Sequence, residues 1–199
     1  MKLASFDIFD TTLIRKCGLP DNIFYLQAKR LYPENPAKRD DFFAWRCNAE
    51  QQAIEVKKDR NISLFDIYTC KDIQGFNEYS VQQLIALEKC IEEENLIANP
   101  AIRQTIKDMR TAGYQICFIS DMYLDSAFLS KQLKDKGCLQ DGEQIFVSCE
   151  AKARKSDGTL YAQVRNELNP EEWIHYGDNK HSDVKTPKKF GIKAVLVDT

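Results

Sequence analysis

The chain has 199 residues, 43% hydrophobic and 29% charged, with 8 Gly and 6 Pro; this suits one core domain with room for a smaller insert and excludes a disordered or fibrous protein. A formal net charge of -2 gives no basic excess for a nucleic-acid backbone, and no apolar run is long enough to span a bilayer, so neither nucleic acid nor membrane is expected as a partner. The first acid, Asp7, comes too early for a signal-peptide apolar region, which makes the cytoplasm the expected compartment, and the seven cysteines lack the spacing of zinc ligands and read as reduced thiols.

In chain order, the run LASF at 3–6 leads directly into Asp7 and predicts a short buried strand. Residues 15–98 then hold no convincing strand and are too long for one crossover connection, so they read as a helical insert. DNIFYLQAKRLY, AKRDDFFAWRCNAEQQAIEVKK, SLFDIYTCKDIQGF and SVQQLIALEKCIEEENL carry apolar residues at three- and four-residue spacing, with Ser63 and Ser80 as N-caps. Four such helices can pack as a small bundle. NPAIRQTIKDMRTAG, opened by Asn99 and Pro100 and closed by Gly113, predicts the helix that returns to the sheet.

Four strand-like runs follow: QICFIS (115–120), EQIFVS (143–148), EWIHY (172–176) and KAVLVD (193–198). Between them lie the helical patterns SAFLSKQLKDKG, SDGTLYAQVRNEL and SDVKTPKKFG, the last two starting on Ser/Asp. The alternation predicts an α/β fold, a doubly wound, Rossmann-like parallel sheet built from residues 1–14 and 99–199, with 15–98 as an inserted α-helical domain. Functional residues then belong at the carboxyl ends of the strands.

Four such ends carry chemistry. Asp7, after the first strand, is a carboxylate able to attack phosphorus and form an acyl-phosphate, with the hydroxyls and amides of IFDTTL around it. Ser120, in FISD, stands just ahead of a helix, where its hydroxyl and the following amides form an anion site. Lys155, placed before the Ser156/Asp157 helix start, is a point charge for a carboxylate and a phosphate together; Lys152 is its rival. In YGDNKHSD, Gly177 permits a tight turn, and Asp178 and Asp183 can join Asp7 in a like-charged cluster that calls for a cation, with the oxygen-only ligation that suits Mg²⁺. Of the two histidines, His175 reads as an interior residue of a strand, and His181 lies in the loop before a helix; neither makes a Ser/His/Asp triad.

The order and spacing of Asp7, Ser120, Lys155 and Gly177 with Asp178 and Asp183 resemble the haloacid dehalogenase (HAD) superfamily, over residues 1–14 and 99–199. The resemblance implies a cap domain in the helical insert and Mg²⁺ as cofactor, held by Asp7, the Phe9 backbone carbonyl and Asp178, with Asp183 in support. It implies a small phosphorylated substrate bound through Thr11, Ser120, Asp121, Lys155 and Asn179. Asp7 and Lys155 would carry the catalysis.

One residue departs from the pattern. Family phosphatases carry an acid two residues after the nucleophile, where this chain has Phe9, and Asp10 is the substitute general acid. The resemblance thus allows a phosphoester hydrolase or phosphotransferase, a weakly or non-catalytic phosphate-ligand-binding module, or a C–P bond hydrolase using a cap lysine. Retained Asp178 and Asp183 argue against a metal-free dehalogenase. FDIFDTTLIR and ISDMYL also look like a bacterial subgroup of the family found alongside glycosyltransferases, which points to sugar phosphates by association. Oligomeric state is left open.

Overall fold

The computed structural model describes residues 1–70, 76 and 78–198. In chain order its elements are β1 (Lys2–Phe6), β2 (Leu13–Arg15), α1 (Asp21–Leu31), α2 (Pro36–Lys57), α3 (Leu64–Thr69), α4 (Val81–Asn95) and β3 (Leu96–Ala98). They continue with α5 (Pro100–Thr111), β4 (Gln115–Ser120), α6 (Ser126–Asp135), β5 (Gln144–Val147), α7 (Ser148–Ala151) and α8 (Thr159–Leu168). The chain ends in β6 (Glu172–Gly177), a π-helical turn (Lys180–Lys185), α9 (Thr186–Lys189) and β7 (Lys193–Leu196). Two compact units result, one of residues Met1–Ile14 with Ile97–Thr199, the other of Arg15–Leu96.

The first unit is built on a five-stranded sheet in the order β5-β4-β1-β6-β7. The paired strands are parallel, β1 lying between β4 and β6. Successive side chains leave a strand on opposite faces. Leu3, Cys117, Ile119 and Trp173 therefore meet Leu160, Tyr161 and Val164 of α8 in a buried cluster on one face. On the other face Phe6 stacks on Tyr176 with ring centroids 4.7 Å apart, and the Tyr176 hydroxyl meets Met109 of α5. Helices thus cover both faces, as in a doubly wound α/β fold. The chain leaves β1 for β4 and β5, then returns to its other side for β6 and β7, so the strand order reverses beside β1. Ligands of open α/β sheets gather at the carboxyl ends of strands beside such a reversal.

The second unit is helical. Ser63 and Ser80 each accept from the backbone N–H three residues on, and Asp66 and Gln83 return the bond, giving two capping boxes. Its interior holds charge: Arg46 and Glu88 pair at 2.7 Å with both side chains fully buried. The Tyr68 hydroxyl donates to Glu88 at 2.6 Å, and the Arg46 guanidinium lies 3.9 Å from the Phe24 ring centroid. The third expected helix ends at Thr69, and the part of that expectation covering 71–75 lies outside the described residues.

Three expectations need correction. β2 and β3 form a two-stranded sheet in a region read as strand-free, because three-residue strands are too short to show alternation. Ser148 opens the short helix α7 instead of ending a strand. The helix expected from Ser156 starts at Thr159, since Asp157 turns back to accept from the Thr159 N–H and hydroxyl. Among the described residues, no helix is long and apolar enough to cross a membrane. All seven cysteines are free thiols.

Candidate active site

Asp7 leaves the end of β1 with its N–H donating to the Tyr176 carbonyl at 2.8 Å, while its own carbonyl accepts from the Thr12 hydroxyl at 2.6 Å. The turn that follows is tight. Asp10 takes a left-handed backbone, φ 55°, and its N–H donates to the Leu13 carbonyl at 2.9 Å. A non-glycine residue in that region carries backbone strain, which tends to collect at functional sites.

The Lys155 ammonium lies between two carboxylates, 2.5 Å from Asp7 Oδ1 and 2.6 Å from Asp183 Oδ1. Lys155 is only 3% exposed, whereas Lys152, the left-handed residue closing α7, is exposed. Of the two candidate lysines, Lys155 is the one at the cluster. Asp121 sets its position: Oδ1 accepts from the Lys155 N–H at 2.8 Å and Oδ2 from the Ser156 N–H at 3.4 Å. The Asp121 carboxylate, a candidate phosphate contact in sequence, is turned to this loop.

Ser120 ends β4, buried, but it does not stand at a helix terminus. α6 starts six residues later behind Asp125, whose side chain accepts from the Phe128 N–H at 2.8 Å. The helix dipole expected behind Ser120 is therefore displaced from it.

Gly177 does something other than turn. It is the last residue of β6, and a Cβ there would lie 2.5 Å from Asp183 Cβ and Cγ. Glycine is what lets Asp183 come against the strand. Asn179 caps the π-helical turn, its Oδ1 accepting from the His181 and Ser182 N–H groups at 2.9 and 3.0 Å. The sequence pattern starts a helix at Ser182/Asp183 and points Asp183 into the strand-end crevice. Asp183 lies inside the turn, 1% exposed, with Oδ2 accepting from the Asn179 N–H at 3.1 Å. Thr11, fully buried, donates toward Asp178 Oδ1 at 3.1 Å and is 3.5 Å from Asp7 Oδ2, so its hydroxyl serves carboxylates.

Asp7, Asp178 and Asp183 each place a carboxylate oxygen within 4.8 Å of the others. Burial pushes the Asp7 carboxyl up to about 8; Lys155 opposes the rise, and Asp183 and Asp178 add to it. Burial works against the charge of Lys155 as well, but the carboxylates of Asp7 and Asp183 outweigh it and hold the ammonium above its ordinary value. Asp183 is also disfavoured by burial, yet Lys155 and His175 hold it well below the usual carboxylate range. Three carboxyl groups, Asp7 and Asp183 buried and Asp178 half-buried, against one ammonium leave a surplus of acidic groups. An all-oxygen donor set with such a surplus fits a hard divalent cation.

Sequence reasoning missed the support behind Asp183. His175 Nε2 lies 3.2 Å from Asp183 Oδ1, and His175 Nδ1 is 2.7 Å from Ser5 Oγ, which also accepts from Trp173 Nε1 at 2.8 Å. Burial lowers the His175 pKa, and the hydrogen bond and charge of Asp183 work against that drop. The ionised carboxylate can only accept, so Nε2 carries a proton toward Asp183, and Nδ1 is paired with the Ser5 hydroxyl. Ser5 and His175 are register partners on β1 and β6, two polar residues inside apolar buried strands. That pairing of polar residues was the available signal. His181, at the surface, has Nε2 3.1 Å from the Ser156 carbonyl.

A pocket of about 180 Å³ opens at these strand ends. Asp7, Asp178, Asp183, Lys155, Ser120, Asp10 and Asn179 line it together with Phe9 and Met122.

No protein-family model and no curated protein matches the sequence. Solved structures match over nearly the whole chain. A 2-haloacid dehalogenase from Pseudomonas syringae pv. Tomato DC3000 has a TM-score of 0.65 at 12% identity, covering 98% of this chain and 86% of that one. A HAD phosphatase from Thermococcus onnurineus has a TM-score of 0.58 at 19% identity, covering 100% and 86%. YfnB from Bacillus subtilis, whose structure was described bound to magnesium, has a TM-score of 0.63 at 15% identity, covering 96% and 86%. With its parallel sheet, reversal beside β1 and helical unit, the chain has the fold of the haloacid dehalogenase superfamily.

Proposed function

We propose that the chain is a Mg²⁺-dependent hydrolase or phosphotransferase of small phosphorylated compounds, with Asp7 as nucleophile. The observation that carries this reading is the convergence of Asp7, Asp178 and Asp183 within 4.8 Å of one another, with the Lys155 ammonium on Asp7 and Asp183, where the strand order reverses. Mg²⁺ would be held by Asp7, the Phe9 backbone carbonyl and Asp178, with Asp183 in support. When bound, the ion supplies positive charge that neutralises the carboxylates and the phosphoryl oxygens. Lys155 steadies the Asp7 carboxylate and adds a cation for the phosphoryl group; Ser120 donates its hydroxyl to a phosphoryl oxygen. The helical unit is read as the cap that selects the substrate. Turnover of nitrophenyl phosphate with Mg²⁺, lost on chelation and in Asp7→Asn, is the expected result, and sugar phosphates belong in the same screen. Turnover persisting in Asp7→Asn contradicts the assignment.

Phe9 on the pocket wall favours a second reading, a module that binds Mg²⁺ and a phosphorylated ligand but scarcely turns it over. The two part on one variant. If a missing acid limits turnover, Phe9→Asp raises phosphatase activity by roughly 10²- to 10⁴-fold, the usual contribution of a positioned general acid. A Phe9→Asp protein that binds Mg²⁺ and stays inactive favours the binding module.

A further inference from the structure

The peptide plane that leads into Asp183 is held at both of its polar atoms. The Asp183 N–H donates to the Asn179 carbonyl at 2.9 Å. The Ser182 carbonyl, in the same planar unit, accepts from the Tyr161 hydroxyl at 2.9 Å. This second bond fills a place that the backbone leaves open. A π-helical turn pairs a carbonyl with the N–H five residues on, as the His181 carbonyl pairs with the Thr186 N–H. For Ser182 that position is Pro187, which has no N–H to give. Tyr161 comes from the first turns of α8 and is fully buried. Its ring stands edge-on to His175 and Trp173, with centroids 5.2 and 5.9 Å away, so packing aims the hydroxyl. Burial, with the charge of Asp183 next, raises the Tyr161 pKa and keeps the proton on the oxygen that donates it.

Asp183 has little room for error. Gly177 is the only residue type that lets it approach β6, and its two carboxylate oxygens are committed to Lys155, His175 and the Asn179 N–H. Rotation of the Ser182–Asp183 peptide would carry the carboxylate off these partners and away from Asp7 and Asp178. The same turn is joined to the Lys155 loop at the Ser156 carbonyl, which accepts from the Thr186 hydroxyl at 3.3 Å and lies 3.1 Å from His181 Nε2. We propose that Tyr161 is a positioning residue for the cation site, its hydroxyl standing in for the amide that Pro187 lacks and fixing the peptide that delivers Asp183. This rests on the reading of Asp7, Asp178 and Asp183 as the carboxylates that hold Mg²⁺. Tyr161 itself lies behind the pocket wall and acts only through Asp183.

The test is Mg²⁺ binding to the full chain by calorimetry, with wild type beside Tyr161→Phe, which removes one oxygen and keeps the ring. The expected result is a dissociation constant raised roughly 10- to 100-fold, the usual cost of losing a group that orients a metal ligand. The variant should still melt cooperatively in chelator, a few degrees below wild type. A hydroxyl that serves the core alone would lower the Tm and leave the Mg²⁺ affinity of the folded protein unchanged, and that result overturns the proposal. Loss of the cooperative melt in Tyr161→Phe overturns it too, because the hydroxyl would then be a requirement of the fold. A wild-type chain that binds no Mg²⁺ overturns the reading of the three carboxylates as a cation site, and this proposal with it.

Discussion

The ammonium of Lys155 sits 2.5 Å from the Asp7 carboxylate, with both side chains nearly excluded from solvent. A buried ion pair gains little over an apolar pair of the same shape, but breaking one from a single side strands a charge. Lys155→Met leaves Asp7 and Asp183 facing each other with no cation between them. We predict loss of turnover and a destabilisation of about 3 kcal/mol in urea denaturation of the metal-free protein. Full stability in the variant would mean the ammonium is not the counter-charge of the cluster.

Asp7 also links the site to pH. Its folded-state carboxyl is pushed up to about 8 from an ordinary 3.8, chiefly by burial. A carboxyl raised in this way binds its proton more tightly when folded, so its contribution to stability falls as pH rises from about 4 toward 8. Asp183 has the opposite sign. It is held below its ordinary value, so it stabilises above the unfolded-state pKa, and that contribution is lost in acid. Asp7→Asn removes the first effect. In chelator, Asp7→Asn should melt above wild type at pH 8, with the gap closing toward pH 4. Mg²⁺ should raise the wild-type Tm more than that of the variant. A variant that melts below wild type at pH 8 would contradict the burden assigned to Asp7.

Gly177 is tested by adding one carbon. A Cβ at that position would stand 2.5 Å from Asp183 Cβ, far inside contact distance, and the neighbour is a short side chain held on both oxygens. Gly177→Ala should cost about 1–3 kcal/mol, as overpacking does, and weaken Mg²⁺ binding measured by calorimetry. Unchanged stability and affinity would show that Asp183 can retreat freely.

The line from Trp173 through Ser5 and His175 to Asp183 predicts an effect at a distance from the pocket. Ser5→Ala leaves the Trp173 N–H without its acceptor and His175 Nδ1 without its partner, at about 1–3 kcal/mol for buried polar groups left unpaired. We expect lower stability together with a lower kcat, and Ser5→Thr to restore both. A fall in stability with unaltered kcat would make the line a feature of the core alone.

The strand ends were legible because each functional residue interrupts an apolar run: Asp7 after LASF, Ser120 closing QICFIS, Asp178 after EWIHYG. The rhythm of strands and helices likewise predicted the doubly wound sheet. Contacts between distant residues left no such mark. That Asp121 ties down the Lys155 loop depends on how two loops meet, and that Ser5 faces His175 depends on the β1–β6 register. Gly177 was visible as a glycine, but its reason, the approach of Asp183, is steric and three-dimensional. The π-helical turn capped by Asn179 read as an ordinary helix start at Ser182 because the stretch carries helix-start residues at both places.

The nucleophile is tested most directly by one assay of the full chain on nitrophenyl phosphate with Mg²⁺, run beside Asp7→Asn and beside wild type in chelator. Turnover by the wild type with Mg²⁺, absent from both controls, is the predicted result. Turnover by Asp7→Asn at the wild-type rate would contradict it.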